Sequence, residues 1–434
     1  MLGLLLAVQV QAVAFEHAEL VRTDRPGVLH DQTVIVQGDR IAWVGAAAEA
    51  RLPPGTRRID ARGQYLLPTF ADMHVHLGRR EDLVTYVANG ITMVRNMWGT
   101  PRDLAWRDSI KAGTLAGPRI VTAGPILDGD PPSIPQMTVL TDVSQARAEV
   151  QRQSQAGYDF IKVYNSLPAA VYGEIVRSAR EARLPVAGHV PFSVGIYAAL
   201  NAGQRSIEHL RGYIAELVPP GSPVQPGASL RSRSVAWNYV DTTRFAKLVE
   251  ATVRAGTWND PTLMVTPELL APPDRWDSLA ARPVLRYLGP GAQGDRSKIP
   301  YLQDFTADDY RASLQGMDTQ RKLVRALHHA GARLLAGTDS YLQGFALQLE
   351  LEELAASGLE PWDVLMIATR NPALYFDEAG QWGVVAPGAR ADLQLIGSDP
   401  LASISALNDR RGVMLRGEWL SRQELQRRLE DIAR

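Results

Sequence analysis

The sequence contains no cysteine. That excludes disulfides, thiolate nucleophiles and cysteine-ligated zinc, and leaves His, Asp, Glu and Lys as metal-ligating side chains. It leaves the redox compartment open, because a cysteine-free chain tolerates either state. Net charge is nearly absent as well, −1 over 434 residues, so no basic surface points to nucleic acid as a partner. Long apolar runs are missing too, and no segment approaches the ~20 apolar residues of a membrane span. The nearest is Leu2 to Val8 in "MLGLLLAVQVQAVAF". It resembles the core of an export signal, with Val10-Gln11-Ala12 as a tolerable cleavage site, although no basic residue precedes it. A trimmed start followed by a first strand is the alternative. Residues 1–13 are therefore read as a signal remnant or a lead-in, and the chain as exported or cytoplasmic. What is present is ordinary for a globular protein: 45% hydrophobic and 21% charged residues. The length suits one barrel-sized domain plus a smaller one.

Residues 14 to about 65 read as short strands. "QTVIVQGDRIAWVG" alternates on both sides of Gly38-Asp39, a hairpin signal, and "RRIDARGQYLLP" continues in that style. "GVVAPGARADLQLIG" and "RGVMLRGEWL" near the C-terminus match it. The expectation is one small β-sandwich built from 14–65 plus 377–434. Between them, strand candidates alternate with helical patterns: "FADMHVHL", "ITMVRNM", "PRIVTAGP", "FIKVY", "VAGHV", "SIEHL", "DPTLMV" and "LLAGTD". Eight such strands close a (β/α)8 TIM barrel over residues 66–376. Two insertions, 219–236 and 268–304, follow the sixth and seventh strands. They would lie at the C-terminal mouth, where lids and substrate walls are built.

The chain has only eight histidines, yet His74 and His76 stand two apart at the end of the first of these strands. Residues i and i+2 share a face, so two imidazoles meet at one strand tip, as a metal site requires. Lys162, His189, His209 and Asp339 then recur at the fourth, fifth, sixth and eighth strands. Charged or imidazole groups in strands that should face a core are costly unless paired or metal-bound. Lys162 is one of only five lysines. A buried lysine leans towards its neutral amine, which can add carbon dioxide to give an anionic, bidentate carbamate.

This order of residues resembles the amidohydrolase superfamily. "FIKVY", "GHV", "IEHL" and "AGTDS" are similar to its imidazolonepropionase-related and Xaa-Pro or Xaa-Arg dipeptidase branch. The resemblance implies a binuclear centre: His74, His76 and Asp339 on one divalent ion, His189 and His209 on the other, and carboxylated Lys162 bridging them. Zinc is the expected metal, with manganese and iron accepting the same ligands. The histidine that the dipeptidase branch often carries after its third strand has no counterpart in "ILDGDPPSIPQMTVL".

Two ions that share a water lower its pKa and polarise a carbonyl. The expected function is hydrolysis of amide or peptide-type C–N bonds in a small molecule, such as an N-acyl amino acid or dipeptide, by a metal-bridging hydroxide. Asp339 would be the general acid–base. Tyr164, two residues past Lys162, is a candidate donor to the substrate carbonyl. Arg211 and Tyr213, in "EHLRGY", are candidate substrate contacts, the arginine through its carboxylate-matching fork. A lactonase, esterase or phosphotriesterase on the same site is the second reading, and an inactive scaffold the third. His328 and His329 are read as surface residues, and His17 and His30 as lacking partners. A homo-oligomer is compatible with all of this.

Overall fold

A computed structural model describes residues 11–293 and 298–433. The signal-like run at the N-terminus lies almost wholly outside the described residues. Strand β1 (Val13–Val21) is followed by β2 (Val28–Gln37) and β3 (Arg40–Ala46), which pair antiparallel as a meander. Gly38 makes the β2–β3 hairpin at φ +60°, a conformation that a side chain would strain. β4 (Arg57–Asp60) and β5 (Tyr65–Pro68) both lie parallel to β1.

Parallel strands come next. β6 (Phe70–Val75), β7 (Ile91–Asn96) and β8 (Arg119–Thr122) form one sheet. β9 (Leu127–Asp128), β10 (Thr138–Val139), β11 (Ile161–Val163), β12 (Val186–Gly188), β13 (Ser206–Glu208), β14 (Trp258–Asp260) and β15 (Arg333–Leu334) form a second, in the order β10-β9-β11-β12-β13-β14-β15. Backbone contacts bridge the two sheets on both sides. Ala123, after β8, pairs with Phe160, before β11, and Met73 N donates to Ala336 O at 2.9 Å beyond β15. β16 (Leu393–Ile396), β17 (Arg410–Leu415) and β18 (Glu418–Ser421) return to the first sheet, where β16 docks antiparallel on β5. The two chain ends thus build one hydrogen-bonded sheet, β18-β17-β16-β5-β1-β2-β3, with β4 on β1.

Period-two alternation along the parallel strands separates two environments. Ile161, Val163 and Ile207 face helices and share a core with Ile175, Leu200, Leu248 and Leu327. Phe160, Ala187 and Trp258 face the opposite way, into a second cluster with Met73, Met93 and Tyr375. The helices suit this packing. In Phe245–Ala255 the buried residues Phe245, Leu248, Val249 and Thr252 follow helical spacing. Helix Ala307–His329 opens on a Thr306–Asp309 capping box. No helix among the described residues is long and apolar enough to cross a membrane.

Three sequence expectations change. The seventh parallel strand is Trp258–Asp260, and most of "DPTLMV" follows it as a turn leading into helix Val265–Leu269. The sheet from the chain ends includes Leu66, Leu67 and Pro68, three residues past the expected boundary, because β5 is what β16 docks on. His17 and His30 have partners: His17 Nδ1 meets Asp31 Oδ1 at 2.6 Å and His30 pairs with Glu19. His328, half-buried, pairs with Asp363 at 3.2 Å, while His329 is exposed.

Candidate metal centre

The line Phe160–Lys162–Tyr164 shows how the strands supply the site. Three alternate residues share a face: the first fills the apolar cluster, the second is buried above it, and the third reaches the end of the strand. Ala187 and His189, and Met93 and Arg95, repeat the pattern on β12 and β7. His74 comes from β6, His209 follows β13 directly, and Asp339 stands in the segment after β15.

These side chains converge. Asp339 Oδ1 lies 3.0 Å from His76 Nε2 and 3.7 Å from His74 Nε2, and its Oδ2 lies 3.5 Å from His209 Nε2. The His74 and His209 rings are 4.7 Å apart and those of His189 and His209 5.0 Å. Backbone strain accompanies the convergence, with φ +57° at His209, +47° at Thr262 and +44° at Asp339. Asp339 N is tied to His74 O at 2.7 Å. Gly337 makes that approach possible, since a Cβ there would stand 2.6 Å from the Cβ of His74.

Each buried histidine is oriented through its Nδ1. His74 Nδ1 meets Glu208 at 3.2 Å, His189 Nδ1 meets Asn165 Oδ1 at 2.7 Å, and His209 Nδ1 meets Thr262 Oγ1 at 2.6 Å. With Nδ1–H donating to an oxygen, the Nε2 lone pair is left for a ligand, the arrangement found behind metal-bound imidazoles. Nε2 of His189 is buried with no partner among the described residues. Burial above all, then neighbouring positive charge, holds His74, His189 and His209 below their ordinary pKa, so they are neutral and able to bind metal. Burial acts to raise Asp339, and the hydrogen bond from His76 Nε2 counters it, so the carboxyl lies below its ordinary pKa. His74, His209 and Asp339 together offer ligand atoms within 4.8 Å of one another. The donor set therefore fits a divalent cation.

Lys162 is wholly buried, and burial pushes its pKa from 10.5 down to about 8 despite Glu208 and Asp339 nearby. Its folded value is the lower one, so between pH 8 and 10.5 the unfolded chain binds the extra proton and stability rises with pH. Below that window the lysine costs on the order of 3 kcal/mol. Lys162→Met is expected to raise the melting temperature of the metal-free chain at pH 7, with the gain shrinking above pH 8. A gain that does not vary with pH would assign the effect to packing alone.

Tyr164 stacks on His189 at 3.9 Å, and burial raises its pKa to about 12, so it remains a protonated donor. Arg211 is half-buried beside this pair. Tyr213 is not a site residue. It is fully buried, with its hydroxyl between Thr252 and Asn259 at 2.9 and 2.8 Å. The helix Tyr213–Leu217 begins there and turns it into the core. Tyr213→Phe should cost ~1 kcal/mol of stability, the typical worth of such a hydrogen bond, and leave KM unchanged; a raised KM would return it to the site.

Beneath His74 lies a charge cluster that the sequence reading missed. Arg95, fully buried, reaches Glu208 Oε2 at 2.8 Å, Asp260 Oδ2 at 3.3 Å, Ser206 Oγ at 2.8 Å, Tyr375 OH at 2.9 Å and Met73 O at 2.5 Å. Asp72 accepts from Thr338 N at 3.0 Å and Thr338 Oγ1 at 2.8 Å, which holds the segment before Asp339. His74, Glu208 and Asp260 also satisfy the spacing of a cation site. That site is already filled by the Arg95 guanidinium, which compensates Glu208, while burial and then Glu208 hold Asp260 well above its ordinary pKa.

The model of the Amidohydrolase family matches residues 65–420, and the chain belongs to that family. A curated relative, the imidazolonepropionase of Streptomyces avermitilis, is 41% identical over 51 residues, 12% of this chain and 12% of that protein. The chain thus matches about an eighth of the length of such relatives. Among solved structures, bottromycin amidohydrolase superposes with a TM-score of 0.72 at 25% identity, covering 96% of this chain and 90% of that one. A putative prolidase from Bifidobacterium longum gives 0.71 at 21% identity over 98% and 99%.

Proposed function

We propose that this chain is a metal-dependent hydrolase of amide or peptide-type C–N bonds in small molecules. In this reading the eight parallel strands β6, β7, β8 and β11–β15 form a (β/α)8 barrel, with the sheet of the two chain ends as a second domain. His74, His76 and Asp339 would hold one divalent ion, His189 and His209 a second, and Lys162, as its carbamate, would stand between them. Zinc is the first candidate. When bound, the metals supply Lewis acidity and a water of lowered pKa. Asp339 takes a proton from the attacking water and hands it to the leaving nitrogen. Tyr164 donates to the substrate carbonyl oxygen, and Arg95 fixes Glu208, which orients His74. The observation that carries this reading is the set of buried, neutral imidazoles, each with Nδ1 anchored, around an ionised aspartate. Presence of all six candidate ligand residues also weighs against an inactive scaffold.

A panel of N-acyl amino acids, dipeptides, lactones and phosphotriesters tests the proposal. Turnover of the first two, abolished by chelation and restored by metal, is expected. Turnover of lactones or phosphotriesters alone would replace the C–N reading with the esterase one.

A further inference from the structure

Two guanidinium groups stand beside the histidine cluster with no carboxylate partner among the described residues. Arg211 follows His209 by two residues, and its Nε is buried with no partner among the described residues. Arg233 lies on helix Leu230–Val235, within the first insertion. Its Nη1 donates to the carbonyls of Gly227 and Ala228, which holds the side chain in place, and its Nε is also buried and unpartnered. The guanidinium sits 6.0 Å from the ring centre of Phe192. Burial, and then the charge of Arg211, lowers Arg233 to about 9. Phe192, against which Arg233 lies, is three residues past His189, Arg211 is two past His209, and the His189 and His209 rings are 5.0 Å apart, which places both arginines on the same side of the site.

Such an arrangement is costly in the free protein. A buried guanidinium normally has a carboxylate, as Arg95 has Glu208 and Asp260. Here the nearby carboxylate, Asp339, is already engaged by three histidines. Arginine matches a carboxylate with two parallel N–H donors, and a planar acid between two such forks relieves their repulsion. Exposed aromatic side chains add a second feature. Phe192, Tyr301 and Tyr341 are 50%, 45% and 60% exposed. Tyr341 is two residues past Asp339 and Tyr301 hydrogen-bonds with it, so this pair borders the same site, as Phe192 does beside Arg233.

We infer that Arg211 and Arg233 clamp a carboxylate of the substrate, on the Tyr164–His189 side of the scissile bond. The substrate is then an acid with an apolar group against Phe192, Tyr301 and Tyr341, such as an N-acyl amino acid or a dipeptide with a free C-terminus. This rests on the hydrolase reading for its chemistry, but the clamp itself can be tested by binding.

Calorimetry on the full-length, metal-loaded chain would compare 3-phenylpropanoate with 3-phenylpropan-1-ol, neither of which has a hydrolysable bond. The acid is expected to bind at least tenfold tighter. Arg233→Met and Arg211→Met should each weaken the acid by roughly 10–100-fold, the worth of a charged hydrogen bond, and leave the alcohol unchanged. Arg233→Lys should retain part of the preference. Arg233→Met should melt no lower than wild type without ligand, because it removes a charge buried without a carboxylate. Equal binding of acid and alcohol by wild type, or an acid preference that survives in both methionine variants at unchanged metal content, would overturn the clamp. Turnover of N-acetyl-phenylalanine against its primary amide separates the two claims. Selective acid binding without turnover of either sinks the hydrolase and leaves the clamp. Turnover of both with equal KM sinks the clamp alone.

Discussion

Asp339→Asn is expected to cut kcat on an amide substrate by several orders of magnitude and on an activated ester by much less. The substitution keeps the size of the side chain and one oxygen near His76 Nε2, 3.0 Å away in the native chain. Asparagine also tolerates positive φ, so the strained backbone at +44° is not itself disturbed. What is lost is the basic oxygen. Asp339 lies below its ordinary pKa and is ionised, and on the proposed assignment that carboxylate collects the proton of the attacking water. An amine must be protonated to leave, whereas a phenolate need not be. General acid–base help is typically worth ~10²–10⁴-fold, and weaker metal holding adds to the loss. The measurement is kcat for matched amide and activated-ester substrates, with metal content determined for both proteins. Equal losses at unchanged metal occupancy would remove the leaving-group role from Asp339 and pass it to Tyr164.

Arg95→Met is expected to destabilise the chain by about 3–5 kcal/mol, the cost of breaking a buried ion pair on one side. Glu208 and Asp260 are fully buried and would be left without their cation. Burial, then Glu208, already holds Asp260 well above its ordinary pKa, so the charge left uncompensated on loss of Arg95 is that of Glu208. Replacing Glu208 and Asp260 by their amides in the same variant should recover part of the loss. Denaturant unfolding of the single and triple variants reads both effects. A single-variant loss below ~1 kcal/mol, the range of exposed pairs, would show that solvent reaches the cluster. His74 should lose its orientation as well, because Glu208 is the acceptor for its Nδ1.

The candidate ligand residues were legible in the sequence because their chemistry conflicts with their setting. Histidines and a lysine inside apolar strands need a partner, and the structure brings His74, His76, His189, His209, Lys162 and Asp339 to one place. The same rule would have found Arg95, Glu208 and Asp260, which are equally out of keeping with buried strands. They were passed over because only imidazole, lysine and the strand-end aspartate suggested a metal. Tyr213 failed for the converse reason. Adjacency to His209 in "EHLRGY" suggested the site, but the chain enters a helix at Tyr213 and turns it inward. The seventh strand was misplaced because "DPTLMV" is more apolar than Trp258–Asp260, whose pairing with Ser206–Glu208 on one side and Arg333 and Leu334 on the other marks the strand. Arg233 could not be reached from spacing at all, since its place depends on how an insertion folds back over the site.

The central claim is a binuclear metal site bridged by Lys162, and its most direct test is metal content per chain by elemental analysis of the wild type and Lys162→Ala. The account predicts two divalent ions per chain in the wild type, and a loss of at least one in the variant together with most of the activity. Full metal content and full activity without Lys162, or a catalytically active wild type that retains no metal after chelation, would contradict it.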